Sequence, residues 1–459
     1  MSIPSPANIR ADLPTFTVKA NGKPIDSAIQ VVAVETWHAV DRIPRARLTL
    51  LDGDPSEQDF AVSSSGALAP GVRLEVALGY FSTEVTVFDG VVRRNRLKVE
   101  PGAPSALIVE ASGRALGMTL TRSNAVLERV RDNHVCSALI KQAGLTAKVE
   151  NTATVHETIV QYYASDWDML VMRAQANGMV VIAEGSKVAV IRPDLAAPPV
   201  LTLTYGDSIL DLDLELDAGA QLATVESYAL ASGGKAEIRG EAQTGRSIPG
   251  ARFSQEFAGA FGATTGRQQA AGGMTAEELA DWSRADLMRR QLARIRGRVR
   301  FQGSSLPRVG GMVDLQGLGA RFNGPAFVSG VSHRVSGGEW TTTLEIGLEA
   351  AWFAATAPAI AAPGAGGQLP PIPGLQIGVV QQLDQDPDAD FRILVTLPLL
   401  KAGLPGVWAR RGPFAGTLKV GDEVALAFLN GDPRYPVVLG ALYSQANPAP
   451  LPARIGPAA

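Results

Sequence analysis

Apolar and polar residues alternate with a period of two through the first hundred residues, and this predicts strands over 16–20, 29–39, 45–51, 73–80, 85–92 and 106–111. Gly, Pro and Asp separate these runs, and Asn21-Gly22 can take the positive φ angles of a tight hairpin. Turn signals at such short spacing favour a barrel over a sandwich of long strands. After Gly117 the period changes. Val126 or Leu127, Val130, Val135, Leu139 and Ile140 fall at helical intervals, which predicts a helix over 124–143 stopped by Gly144. A second helix is expected after Ser165, where Ser165 and Asp168 have capping-box spacing, and Asn177-Gly178 is its natural end. A hairpin of 179–183 and 187–192 across Glu184-Gly185-Ser186 completes a small α+β domain.

Strands resume over 200–205 and 210–217. Residues 231–273 are rich in Gly, Ala, Gln and Ser with little period, so this stretch is expected to be ordered by a partner or mobile. A strong helix follows, opened by a Thr275/Glu278 capping box, striped by Leu279, Trp282, Ala285, Met288, Leu292 and Ile295, and ended by Gly297. Strands return over 298–302, 312–316, 326–333 and 340–348. The run from Gly71 through Val76, Leu78 and Gly79 to Phe88, Gly90 and Val91 weakly echoes the run from Gly311 through Val313 and Leu315 to Phe327, Gly330 and Val331, which is either an internal duplication or the common likeness of apolar strands bearing Gly. Near the end, strands are expected over 376–383, around Phe391, Ile393, Val395 and Leu397, over 423–429 and over 435–443, the last two joined by Asn430-Gly431-Asp432-Pro433. Five short strands in so few residues fit a small Greek-key barrel such as an OB-fold.

The predicted fold class is therefore mainly β with an α+β insert. Residues 1–112 form a first β-barrel and 113–196 the α+β domain; 197–352 form a second barrel carrying the long unpatterned loop and one helix. Residues 353–374 are a Pro/Gly/Ala linker, and 375–459 an OB-fold barrel with a short tail. A chain of 459 residues is too long for one core, and 46% apolar with 19% charged residues is an ordinary folded composition. The net charge of −3 excludes a strong polyelectrolyte role. A single cysteine, Cys136, cannot form an internal disulfide. The start has neither a basic n-region nor an apolar h-region, so synthesis in the cytoplasm without a signal peptide is expected.

Candidate chemistry is sparse. Asp384, Asp386, Asp388 and Asp390 alternate as calcium ligands do, but the Gly of the sharp turn and the distal Glu of a calcium loop are missing, which favours a polar turn between OB strands. His38, His134, His156 and His333 are scattered, so a zinc site has little support and a neutral, internally satisfied role is expected for each. Cys136 reads as a small core residue. No Gly-x-Ser-x-Gly elbow is present, no motif singles out a carboxylate pair, and nothing asks for a cofactor. Arg284, Arg289, Arg290 and Arg294, continued by Arg296, Arg298 and Arg300, crowd one helix and the strand after it. They are candidate contacts for an anionic partner, balanced against a solvated face offset by Glu277, Glu278, Asp281 and Asp286. With no aromatic residues interleaved, an acidic protein surface fits better than nucleic acid.

Several motifs together resemble the spike-hub proteins of contractile injection systems, the VgrG, phage late control protein D and tail-hub lineage. They are Asp41-Arg-Ile-Pro-Arg-Ala-Arg-Leu-Thr-Leu50, Pro70-Gly-Val-Arg-Leu-Glu-Val-Ala-Leu-Gly-Tyr80, Val87-Phe-Asp-Gly90, Ser165-Asp-Trp-Asp-Met-Leu170, Arg321-Phe-Asn-Gly324 and Val328-Ser-Gly-Val-Ser-His333. The run from Gly421 to Tyr443 resembles the OB-fold that follows the hub in that family, and the match spans 10–448 in the expected order. The resemblance implies a non-enzymatic homotrimer that joins a six-fold inner tube to a three-fold, membrane-puncturing tip. Its implied partners are tube-ring and baseplate proteins and, during puncture, the target membrane. Many members continue into a long β-needle where this sequence has Pro448 and a short tail, so a small separate tip protein is a further expected partner. Rival readings are a tail-tip cell-wall hydrolase, for which no stretch is left over to form a domain, and a receptor- or glycan-binding tail protein.

Overall fold

The computed structural model describes residues 3–8, 13–230, 236–243, 259–270, 274–357, 360–398, 406–412, 416–445 and 448. The chain divides into two compact units, Met1–Ile360 and Ala361–Ala459.

In the first unit, the two-residue alternation becomes six main strands: Pro14–Ala20, Val31–Ala39, Arg45–Leu51, Arg73–Tyr80, Thr83–Lys98 and Ala106–Ser112. Numbered along the chain, they lie side by side in the order first, fourth, fifth, sixth, third, second. Asn21 and Gly22, at φ 49° and 80°, make the expected tight turn after the first strand. A second set of six follows later: Thr202–Thr204, Ile209–Leu216, Ile295–Gln302, Met312–Gln316, Gly324–Ser336 and Glu339–Ile346. Its order is the same.

The likeness extends to the irregularities. The second and third strands slip register between Val31 and Ala33 in one set and between Ile209 and Asp211 in the other. The fifth and sixth slip between Val92 and Arg94, and between Val328 and Gly330. Val92 accepts from Gly71 N–H and donates to Val72 C=O, just as Val328 accepts from Gly310 and donates to Gly311. Bulges are fixed features of a strand pair, so coincidence at this level marks a duplicated unit. The sequence echo is real but offset, because the backbone matches Gly71 to Gly310 and not to Gly311. One pairing differs between the sets: the first and fourth strands are antiparallel in one and parallel in the other.

Each set curls around its own core. Leu48, Leu50, Leu74, Leu107 and Val109 fill the first, and Val299, Phe301, Val313, Val328 and Leu344 the second. Strand Gly324–Ser336 joins them: its residues from Gly330 to Ser336 pair antiparallel with Val31–Ala39, merging both sets into one continuous 13-stranded sheet. The joint is shared in packing too, since Val335 and Trp340 lie in the first core while Val331 and Leu344 lie in the second.

Between the sets stands the α+β region. Helix α1 (Asp132–Gln142) covers only the second half of the stretch expected to be helical. The first half, Arg122–Arg131, is a strand paired with Val155–Ser165 in a separate two-stranded ribbon. Its apolar residues satisfy either period, and the cross-strand partner decides in favour of the strand. Helix α2 (Asp166–Ala176) is capped by Ser165, whose hydroxyl accepts from Asp168 N–H, and Gly178 leaves it at φ 65°. A three-stranded sheet of Thr146–Val149, Val180–Glu184 and Lys187–Ile191 packs beneath, with Ile140, Leu170, Met179 and Val190 in the core.

Helix α3 (Ala276–Leu292) begins at the Thr275/Glu278 capping box, but it ends at Leu292 because Ile295 already belongs to the next strand. The segment expected to lack structure contributes two strands, Glu237–Gln243 and Thr265–Ala270, which flank Thr224–Leu230 in a small sheet lying on α3. Of the rest, 231–235, 244–258 and 271–273 lie outside the described residues. Gly240 touches the helix so closely that a Cβ there would stand 2.4 Å from the backbone of Leu279 and Ala280. Most side chains of the two added strands face outward, which is why polar composition concealed them.

The second unit is a closed barrel of Gln376–Gln382, Ile393–Thr396, Val407–Arg411, Pro436–Ala441 and Glu423–Phe428, in that spatial order. Val380, Ile393, Val395, Val424 and Leu426 fill it. Phe391, expected on a strand, instead sits at φ 57° before it and is exposed.

Candidate interaction site

The cross-strand pairing rules of the duplicated sheet place rows of opposite charge on one face. Across the joint Arg334 faces Glu35 (3.2 Å), and within the first set Glu35 faces Arg47 (3.8 Å), Arg47 faces Glu110 (3.5 Å) and Glu110 faces Arg94 (2.7 Å). In the second, Asp211, Asp213 and Glu215 face Arg300, Arg298 and Arg296 at 3.8, 3.9 and 2.7 Å. Exposed pairs of this kind add only about 0–1 kcal/mol each to stability. Their importance is the charge pattern they present.

The arginines singled out on α3 do not share a surface. Arg284 is exposed and pairs with Asp281 one turn back. Arg290 is half-buried and held by Asp286 at 2.5 Å. Arg289 is buried, donates to the carbonyls of Glu349 (2.9 Å) and Ala351 (2.6 Å), and lies over the Trp352 ring. Arg294 is only 9% exposed, and its Nε and Nη1 have no hydrogen-bond partner. Burial lowers the pKa of its guanidinium, and no carboxylate offsets this. The sequence shows seven arginines close together, but helix phase and the turn after Leu292 send them in different directions.

Sequence reasoning missed a buried clasp between the α+β region and α3. Asp132, at the start of α1, accepts Arg173 Nε and Nη2 from α2 (2.5 and 2.8 Å), Asn177 Nδ2 (2.8 Å) and His156 Nε2 (2.8 Å). His156 Nδ1 turns to Glu278 Oε1 at 2.5 Å, while Glu278 Oε2 accepts the Thr275 amide in the capping box. A carboxylate on each ring nitrogen favours the protonated imidazolium over the neutral form expected. The hydrogen bond to Asp132 raises its pKa. Burial pushes the Asp132 carboxyl up, but His156 and Arg173 outweigh it and hold the acid well below the usual range. Asp132, His156 and Glu278 are each held by partners within the clasp, which makes it a brace between the elements. A capping box was legible at Glu278; its contact with a histidine 122 residues away was not.

Asp41 fixes the first strand set to the α+β region. Its two carboxylate oxygens accept from Val181 N–H and Gln175 Nε2, each at 2.8 Å, and desolvation raises its pKa. His38 and His333 stand near each other at the joint of the two sets, and burial lowers them to about 4 and about 3. His134 is exposed. Cys136 is a buried residue of the α+β core, and burial raises its thiol to about 12. In the acidic turn, Asp386 accepts Arg392 Nη2 at 2.6 Å and the amides of Asp388, Asp390 and Arg392, so it clasps its own loop. Among the described residues no group of His, Cys, Asp and Glu is arranged to hold a metal, and no helix is long and apolar enough to cross a membrane.

The Alg8 N-terminal domain family matches residues 10–337, and the type VI secretion system/phage-baseplate injector OB domain matches 376–443. No curated protein matches the chain. Among solved structures, the prophage MuSo2 43 kDa tail protein from Shewanella oneidensis aligns with 73% of this chain and 98% of its own at 11% identity and a TM-score of 0.56. A tail protein from Neisseria meningitidis MC58 aligns with 74% and 98%, at 14% identity and a TM-score of 0.55. An E. coli component of the type VI secretion system covers 93% of this chain and 99% of its own at 15% identity, with a TM-score of 0.45. The first two share a tail-protein fold with this chain. The resemblance to VgrG-type spike-hub proteins is met by that fold together with the injector OB domain.

Proposed function

The chain belongs to the Alg8 N-terminal domain family, and from this premise we propose that it is the central hub of a contractile, phage-tail-like injection particle. In this reading it forms a homotrimer that joins a six-fold inner tube to a three-fold, membrane-puncturing tip. The observation that carries it is the duplicated six-stranded unit, repeated down to its bulges. Three chains with two units each present six similar surfaces, which a ring of six tube subunits can meet almost equivalently. The injector OB domain over 376–443 supplies the base of the spike.

Its work is mechanical, with no catalytic residue. Baseplate and tube proteins are its partners, with a small tip protein on the spike and the target membrane met during puncture. Of the α3 arginines, Arg284 and Arg294 are suited to an acidic neighbour: the first is exposed, and the second is a buried cation that lacks a counter-ion. The particle assembles from cytoplasmic components. Mass photometry of the purified protein at micromolar concentration tests the reading, with trimers expected. A folded protein that stays monomeric would overturn it.

A further inference from the structure

The sheet contains one completed joint and two half-joints of the same design. In the completed joint, strand Gly324–Ser336 is paired by Met312–Gln316 only as far as Phe327, and Val31–Ala39 fills the edge left free from Gly330 to Ser336. The matching strand of the first set, Thr83–Lys98, makes the same step. Arg73–Tyr80 pairs with it only up to Val91, and from Arg94 to Lys98 its single neighbour is Ala106–Ser112. Among the described residues no strand fills that vacated edge. The counterpart of Val31–Ala39 is Ile209–Leu216, whose far edge is also unpaired among the described residues, with six strands between it and Thr83–Lys98 in the sheet.

Resting on the trimeric reading, we propose that the open edge of Thr83–Lys98 in one copy receives strand Ile209–Leu216 of a second copy, in the register of the completed joint. The shared bulges fix that register. Val328 matches Val92 and Gly330 matches Arg94; Val31 matches Ile209 and Ala33 matches Asp211. Arg334 lies opposite Glu35 in the completed joint, so Lys98 lies opposite Asp213 between copies. Likewise Ser332 opposite Trp37 becomes Arg96 opposite Glu215, and Gly330 opposite Ala39 becomes Arg94 opposite Asp217.

Three opposite-charge pairs thus arise from two edges that are otherwise unrelated in sequence, one basic and one acidic. Leu97 meets Leu214 and Val99 meets Leu212 between them. Leu97 and Val99 are 48% and 67% exposed, whereas their counterparts His333 and Val335 are 6% and 5% exposed. The docked strand therefore covers apolar surface that a lone chain leaves in water. A one-residue slip would turn the leucines outward, and a two-residue slip would lose a charge pair.

Charge reversal tests the proposal. Relative to the wild type, R96E/K98E and D213K/E215K each weaken trimer formation roughly a hundredfold, since like charges across a docked edge cost several kcal/mol. The four-fold variant R96E/K98E/D213K/E215K regains it. L97C/L214C forms disulfide-linked trimers on a non-reducing gel, while the buried Cys136 stays reduced. A trimeric wild type whose reversals remain trimeric and whose L97C/L214C variant gives no cross-link would overturn the edge pairing and leave the hub reading intact. A monomeric wild type would instead overturn the hub reading, and if L97C/L214C also stays monomeric the edge pairing falls with it. Where a reversed variant loses its circular dichroism signal, the cysteine pair decides.

Discussion

His156 Nδ1 and Glu278 Oε1 stand 2.5 Å apart although 122 residues separate them in the chain. This contact ties α3, which carries the small three-stranded sheet, to the α+β region. It does so through a histidine held on its other side by Asp132.

Breaking the clasp at its centre should be costly. Asp132→Asn leaves Arg173 and His156 without their carboxylate, and removing one partner of a buried ion pair costs about 3–5 kcal/mol. Denaturant unfolding should show a loss in that range, while Glu157→Gln, at an exposed residue of the same ribbon, should change little.

The pH dependence should have two separate windows. The His156 pKa is raised in the folded protein, so its contribution is complete below the ordinary histidine pKa and is lost as pH climbs through the raised value. His156→Gln should therefore remove a decline in melting temperature on the alkaline side. His38 and His333 behave oppositely. The unfolded chain binds protons below about pH 6.5, whereas these buried rings resist until about 4 and about 3, so stability falls as pH drops through that interval. His333→Gln should flatten the acid side only.

Gly240→Ala should part the small sheet from α3. The new methyl would overlap the backbone of Leu279 and Ala280, and neither can yield as a side chain tip would. A loss of about 1–3 kcal/mol is expected, together with faster amide exchange across Thr224–Leu230.

Arg294→Leu should have opposite effects on the lone chain and on the assembly. Replacing a buried cation without a counter-ion by an apolar residue removes a desolvation penalty, so the melting temperature of the free protein should rise. Binding to tube or baseplate proteins, followed by co-sedimentation, should weaken.

Most of the β framework was legible because alternation and turn chemistry agree there. Arg45–Leu51 and Arg73–Tyr80 have the expected ends, and the caps at Ser165 and Thr275 are where local rules place them. The failures have physical causes. Arg122–Arg131 looked helical since Val126 and Val130 fit a period of four, and only pairing with Val155–Ser165 selects the strand. Glu237–Gln243 and Thr265–Ala270 escaped notice because a strand lying on one helix needs few apolar residues. Among the arginines, the position of Arg289 over Trp352 depends on a segment 60 residues further along, which propensity does not encode. The raised pKa of His156 depends on Asp132 and Glu278, distant carboxylates that no local pattern reveals.

The two kinds of joint also differ in what they must accomplish. At Gly330, Ser332, Trp37 and Ala39 the partners are delivered by the same polypeptide, so encounter is assured before any contact forms. A tether does the work of long-range attraction, and these positions are free to carry neutral side chains suited to packing. Arg94, Arg96, Glu215 and Asp217 have no such tether. A strand arriving from solution has to be drawn in and aligned, and charge is the property that acts before touch. Covalent linkage lets the intrachain joint manage with one charge pair, Arg334 and Glu35, where the proposed joint between copies has three.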